Sequence, residues 1–168
     1  MEELITLKSS DGTKFQLARV EAMTSKLIEH AIEDDDCDSD EDNVCEENTE
    51  AIPVNVNADI LEMVVEFMKH HAIDPLRPIS QPLGPNFRSQ ITQDYYFNFI
   101  EEKSVEDIFK LSSAANYLDI NPLFDLTVLY CSFQLMDKSA EEIREFLKLP
   151  KMTESEEKRA REEHSWMF

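Results

Sequence analysis

Glycine is almost absent from this sequence: Gly12 and Gly84 are the only two in 168 residues. A phosphate-cradling loop needs clustered glycines, so the nucleotide-binding motifs built on them are excluded. Basic residues are scarce as well, with 16 Lys and Arg against 36 Asp and Glu, for a net charge of −20. That balance argues against a nucleic-acid or anionic-membrane surface, because both need a basic face. Cysteine occurs only as Cys37, Cys45 and Cys131, an odd number without regular spacing. Such usage points to a reducing compartment rather than a disulfide framework. Apolar runs stay below the roughly 18 residues a membrane span needs. The opening MEELITLKSSDG has neither a basic flank nor a long apolar stretch, so no signal peptide is expected. A soluble intracellular protein, cytoplasmic and nuclear, is the expectation.

At this length the chain is one domain, or one domain with an appendage, and it can bury a core without disulfide or metal. Leu4, Ile5 and Leu7, then Ser9-Ser10-Asp11-Gly12, then Phe15 and Leu17 make a hairpin signal. Val20, Met23, Leu27, Ile28, Ala31 and Ile32 recur at three- and four-residue spacing and predict one helix over 20–32. Residues 33–50 hold 11 acidic and no basic side chains, which predicts a self-repelling disordered loop. Ile52-Pro53-Val54 is a short strand candidate, and Asn57 is placed to cap a helix over ADILEMVVEFMKHH. Pro75, Pro78, Pro82, Pro85 and Gly84 mark 72–90 as an irregular or mobile loop. A short aromatic helix over 95–100 follows, then a helix ending at Tyr117 with Ser104 and Asp107 as its capping box. The order is hairpin, helix, strand, then helices to the end, an α+β pattern.

The chain is organised around 114–136, AANYLDINPLFDLTVLYCSFQLM. Asn121 and Pro122 mark a helix start, with Asn121 as cap and Pro122 as first helical residue. From Leu123 to Met136 only Asp125 is charged. A helix apolar on nearly every side must be covered on more than one. Ser139 with Glu142, and Thr153 with Glu156, make two further capping boxes, and Pro150 stops the helix between them. Ile143, Phe146, Leu147, Leu149, Met152, Trp166, Met167 and Phe168 belong to short helices with little core of their own. Either they fold back on 123–136 or they build a platform for a partner's helices.

Candidate chemical sites are few. Asp36, Asp38, Asp40, Asp42 and Glu47 fall at calcium-loop positions 1, 3, 5, 7 and 12, but Glu41 stands where the turn requires glycine. Ser39, followed by Asp40-Glu41-Asp42, is an acidophilic kinase context. His70 and His71 lie about 100° apart around a helix and cannot face one metal, so their expected role is positive charge at a helix end. Cys131 reads as a buried small hydrophobe. No catalytic residue, cofactor or metal is expected.

Four stretches carry a family resemblance across nearly the whole chain: SSDG after a short strand, NVNADILEMVVEFMKHH before Asp74-Pro75, AANYLDI, and AEEIREFL before an acidic last helix with a tryptophan. They resemble the Skp-type adaptors of Skp–cullin–F-box ubiquitin ligases. The resemblance implies a BTB/POZ-like fold, a small N-terminal sheet plus helices, over 1–136, with a C-terminal helical extension over 137–168. It implies a non-catalytic bridge in which the first part binds the N-terminal region of a cullin, while the extension and the helix before it bind F-box proteins. By position, Asn116 and Tyr117 fall on the cullin side. Leu123, Val128, Ile143, Phe146, Leu147 and Trp166 fall on the F-box side. Ile120-Asn121-Pro122 replaces the Ile-Lys-Gly usual in that family. The alternative is a self-associating BTB/POZ module, and a weak homodimer is its milder form when no F-box partner is present.

Overall fold

The computed structural model describes residues 4–36 and 51–167. Residues 37–50 of the loop expected over 33–50 lie outside the described residues, and with them the calcium-type spacing beyond Asp36, Cys37, Ser39 and Cys45. Strands β1 (Leu4–Lys8) and β2 (Lys14–Ala18) pair antiparallel from Leu4↔Ala18 to Lys8↔Lys14. The turn between them is held by the Ser9 N–H on the Thr13 carbonyl (2.9 Å) and the Gly12 N–H on the Ser9 carbonyl (3.0 Å). Gly12 sits at φ +91°, a conformation only glycine adopts without cost. The Ser9 hydroxyl donates to Asp11 and holds that carboxyl below its usual range.

The single helix expected over 20–32 is two. Helix α1 (Arg19–Ala22) and helix α2 (Lys26–Asp36) are separated at Met23–Ser25. Ser25 breaks the run because its hydroxyl has better partners than a helix offers. It donates to the Leu118 carbonyl (2.5 Å) and accepts from the Ile28 N–H (3.3 Å), capping α2. The break turns Val20 and Met23 outward, 73% and 45% exposed, while Ile28 stays buried. Helix α2 continues through Asp36, so the first acidic residues are helical rather than loop.

Strand β3 (Ile52–Pro53) runs parallel to β1, giving a sheet ordered β2-β1-β3. Helix α3 (Ala58–Ile73) crosses the core and buries Leu61, Val64, Phe67 and Met68 completely. Asn57 occupies its N-cap position without capping; its side-chain oxygen accepts instead from the Ser10 hydroxyl (3.0 Å). With the Ser10 N–H on the Val56 carbonyl (2.9 Å), this ties the hairpin turn to the start of α3.

The proline-rich stretch is irregular but pinned. The Gln93 amide donates to Asp74 (2.9 Å) and the Pro75 carbonyl (3.1 Å), and its oxygen accepts from the Arg77 N–H (3.0 Å). It also contains a short helix, α4 (Phe87–Gln90), absent from the sequence reading. Helix α5 (Asp94–Glu101) buries Tyr96, Phe99 and Ile100. Helix α6 (Val105–Tyr117) is capped by the Ser104 hydroxyl on the Asp107 N–H (3.2 Å). The reciprocal half of the predicted box is missing: the shorter aspartate bonds the Ser104 hydroxyl (2.6 Å), not its N–H.

Helix α7 (Asn121–Leu135), helix α8 (Ala140–Phe146), helix α9 (Glu154–Glu163) and a 3-10 turn (Ser165–Met167) complete the chain. Contacts divide it into two compact units, Met1–Phe133 and Gln134–Phe168, so α7 runs from one into the other. Both later capping boxes form. Glu142 closes on the Ser139 N–H (2.7 Å) and Glu156 on the Thr153 N–H (2.8 Å). Helix α8 ends before Pro150 can stop it, because Lys148 turns left-handed at φ +52° and the Leu149 N–H bonds the Arg144 carbonyl (2.9 Å).

Candidate partner-binding surfaces

AANYLDI is a helix–turn–helix joint closed by backbone hydrogen bonds. Asp119 turns left-handed at φ +51°, the Ile120 N–H reaches back to the Ala115 carbonyl (2.9 Å), and the Asp119 N–H to Asn116 (3.3 Å). This is the paired-bond ending usually made with glycine, here made with aspartate. Ile120 is fully buried, and its carbonyl accepts from the Phe124 N–H (3.0 Å). Ile120 therefore occupies the cap position of α7, correcting the assignment to Asn121. Asn121 and Pro122 fill the first two helical positions, where a missing N–H still costs nothing.

The buried stripe of α6 is Ile108, Leu111, Ala114 and Ala115, which leaves the opposite side to solvent. Asn116 and Tyr117 are exposed there, Tyr117 by 44%. The Tyr117 hydroxyl accepts from the Asn55 N–H at 3.4 Å and closes one side of an open cleft of about 250 Å³. Asn55, Asn57, Lys110 and Ser113 line it together with the apolar Ile60 and Ala114. Phe109, 39% exposed, shares the face of Ser113 and Asn116 at helical spacing. The sequence reading missed Phe109. The available signal was its place beside Ile108, off the buried stripe.

The residues assigned to the second surface fall into both units. Leu123 is fully buried among core side chains, so it supports α7 from behind and presents nothing outward. Val128, five residues on, is 41% exposed. In the second unit, Ile143 and Phe146 of α8 and its C-cap Leu147 are half-buried, and Trp166 in the terminal 3-10 turn is 77% exposed. Leu149 and Met152, in the link to α9, are 55% and 56% exposed. Helix α9 has no buried residue and stands on its cap and on pairs such as Arg159–Glu163 (2.8 Å) and Arg161–Glu157 (2.6 Å).

Both histidines lie in the last turn of α3, as expected, and each packs against an aromatic ring. His70 stacks on Tyr95 with ring centroids 3.5 Å apart, and its Nε2 has no hydrogen-bond partner. His71 stacks on Phe67 at 5.5 Å, and burial, with His70 adding to it, pushes its pKa down, which disfavours the charged form. The Tyr96 hydroxyl donates to the Asp74 carbonyl (2.5 Å), and burial pushes its pKa up to about 12. Cys131 is half-buried, and burial raises its thiol pKa as well. Among the described residues no group of three metal-binding side chains comes together, and no helix is long and apolar enough to cross a membrane.

Residues 3–73 match the model of the Skp1 family tetramerisation domain, and residues 121–167 match that of the Skp1 family dimerisation domain. The chain is 35% identical to SKP1-like protein 11 of Arabidopsis thaliana, over 99% of its own length and 97% of that protein. This chain belongs to the Skp1 family. Other Skp1 relatives include the S-phase kinase-associated protein 1 homolog of Tetrahymena thermophila, at 30% identity over 96% of this chain and 92% of that one. The E3 ubiquitin ligase complex SCF subunit sconC of Arthroderma otae is 32% identical over 96% and 93%. The three-stranded sheet with its helices is thus the POZ-type α+β part of a Skp1-family chain, followed by helices. The stretch from α4 through AANYLDI lies between the two matched ranges.

Proposed function

We propose that this Skp1-family chain is a non-catalytic adaptor of an SCF-type E3 ubiquitin ligase in ubiquitin-dependent degradation. It links F-box substrate receptors to the N-terminal region of a cullin. The observation that carries this reading is that exposed aromatic anchors sit in both compact units, Tyr117 in the first and Trp166 in the second. A linker needs two surfaces that do not share residues. The cullin surface comprises Asn116 and Tyr117 with Phe109 beside them, within a part spanning 1–136. On the F-box side the first unit contributes Val128, with Leu123 as internal support, and the second contributes Ile143, Phe146, Leu147 and Trp166, within an extension over 137–168. Such an adaptor adds no chemistry; it contributes by holding a bound substrate near the transfer machinery, where orientation replaces a chance encounter.

Self-association is the second reading, favoured by the exposure of Leu149, Met152 and Trp166 in one short unit. Light scattering on the chain with and without an F-box peptide separates the two. A one-to-one complex with the peptide supports the adaptor. A homodimer that persists at saturating peptide overturns it.

A further inference from the structure

Neither partner surface uses Phe87, yet the proline-rich segment is built to hold it. Its ring lies 5.7 Å from that of Phe97 on α5, 5.3 Å from Tyr130 and 6.2 Å from Phe133, both on α7. Tyr130 and Phe133 are one turn apart and follow Leu129, the last buried residue of the helix. Beyond Leu129, Phe87 is the ring that continues the core side of α7. An apolar side chain in a loop ordinarily takes whatever cover is near, but this one is fixed from several directions. Asn86 accepts from the Ser89 N–H (2.9 Å), and the Ser89 hydroxyl returns a bond to the Asn86 carbonyl (2.6 Å). Arg88 lies 4.5 Å over the Phe97 ring while pairing with Asp94. Gly84 packs so close beneath that a Cβ there would stand 2.5 Å from Ser89 Oγ.

We propose that Phe87 is a positioning residue for F-box recognition, acting through α7. By bracing Tyr130 and Phe133 it keeps the last two turns of α7 helical, and with them the exposed Val128 face a partner helix meets. The proposal rests on the adaptor reading. It also explains why a proline-rich segment outside both family-matched ranges is tethered rather than left loose.

The test compares the full chain with Phe87→Ala and Phe87→Tyr, measuring affinity for an F-box peptide and for a cullin N-terminal fragment, and amide exchange along the chain. Phe87→Ala should lower F-box affinity about tenfold, as loss of a packed aromatic anchor does. Cullin affinity should stay unchanged, exchange should quicken over 130–135 but not in α3, and Phe87→Tyr should restore binding. Equal loss of both partners, or faster exchange throughout, means mere destabilisation and overturns the proposal. So does an F-box affinity that Phe87→Ala leaves intact. If the unaltered chain binds no F-box peptide, the adaptor reading fails and the proposal falls with it, even where exchange shows the brace.

Discussion

The Ser25 hydroxyl and the Leu118 carbonyl, 93 residues apart, share a fully buried hydrogen bond of 2.5 Å. It joins the start of α2 to the end of α6, one residue past Tyr117. The Lys26 N–H on the Asp119 carbonyl (3.4 Å) reinforces the joint. Removing the hydroxyl strands a buried carbonyl and uncaps α2 together. Ser25→Ala should therefore cost about 2 kcal/mol, from the penalty of an unsatisfied buried acceptor plus a lost cap. Urea denaturation would show the loss as a lower midpoint with unchanged slope. A cost within 0.5 kcal/mol, the ordinary scatter of surface changes, would mean the bond does not tie the elements.

Asp119 adopts φ +51° in a protein with almost no glycine to spend on such turns. Asp119→Gly should stabilise by roughly 0.5 kcal/mol, since glycine meets no steric penalty there but loses more freedom on folding. Asp119→Val should destabilise by about 1–2 kcal/mol, because a β-branched residue is strained in that region. Thermal unfolding of the pair would reveal the opposite signs.

Acid should loosen the C-terminal unit before the rest. Glu142 and Glu156 both have lowered pKa values, held down first by the backbone N–H groups of Ser139 and Thr153. A carboxyl with a depressed folded pKa adds stability above its unfolded pKa and loses it as pH falls through the folded value. The caps of α8 and α9 should therefore be intact at neutral pH and lost below the usual glutamate range. Residue-resolved NMR on acidification should show α9 fraying while α3 amides stay in place. Glu156→Gln should remove most of that pH dependence from α9, since glutamine completes the same box but does not titrate.

The two surfaces should fail separately. Trp166→Ala should weaken F-box binding by about 2 kcal/mol, the scale of a central aromatic anchor, and leave cullin binding within a few-fold. Tyr117→Ala should do the reverse. Calorimetric titration of each variant with each partner reads all four affinities.

Much of this was legible in the sequence because its signals were local. Asp11-Gly12 specified the hairpin, and Ser139 with Glu142 and Thr153 with Glu156 specified helix starts that the structure shows. What escaped notice depended on distant partners. Ser25 breaks a periodic helix for a carbonyl 93 residues away, which no window around it contains. Phe87 looked like loop because its three ring partners lie on α5 and α7. Leu123 and Val128 had equal claims to the surface by composition, and only packing separates the buried one from the exposed one.

The central claim is tested most directly by assembling the chain with an F-box protein and then with a cullin N-terminal fragment, and measuring the mass of the product by light scattering. The account predicts one ternary complex containing one copy of each. An F-box complex that excludes the cullin, or a cullin complex that expels the F-box protein, would contradict it.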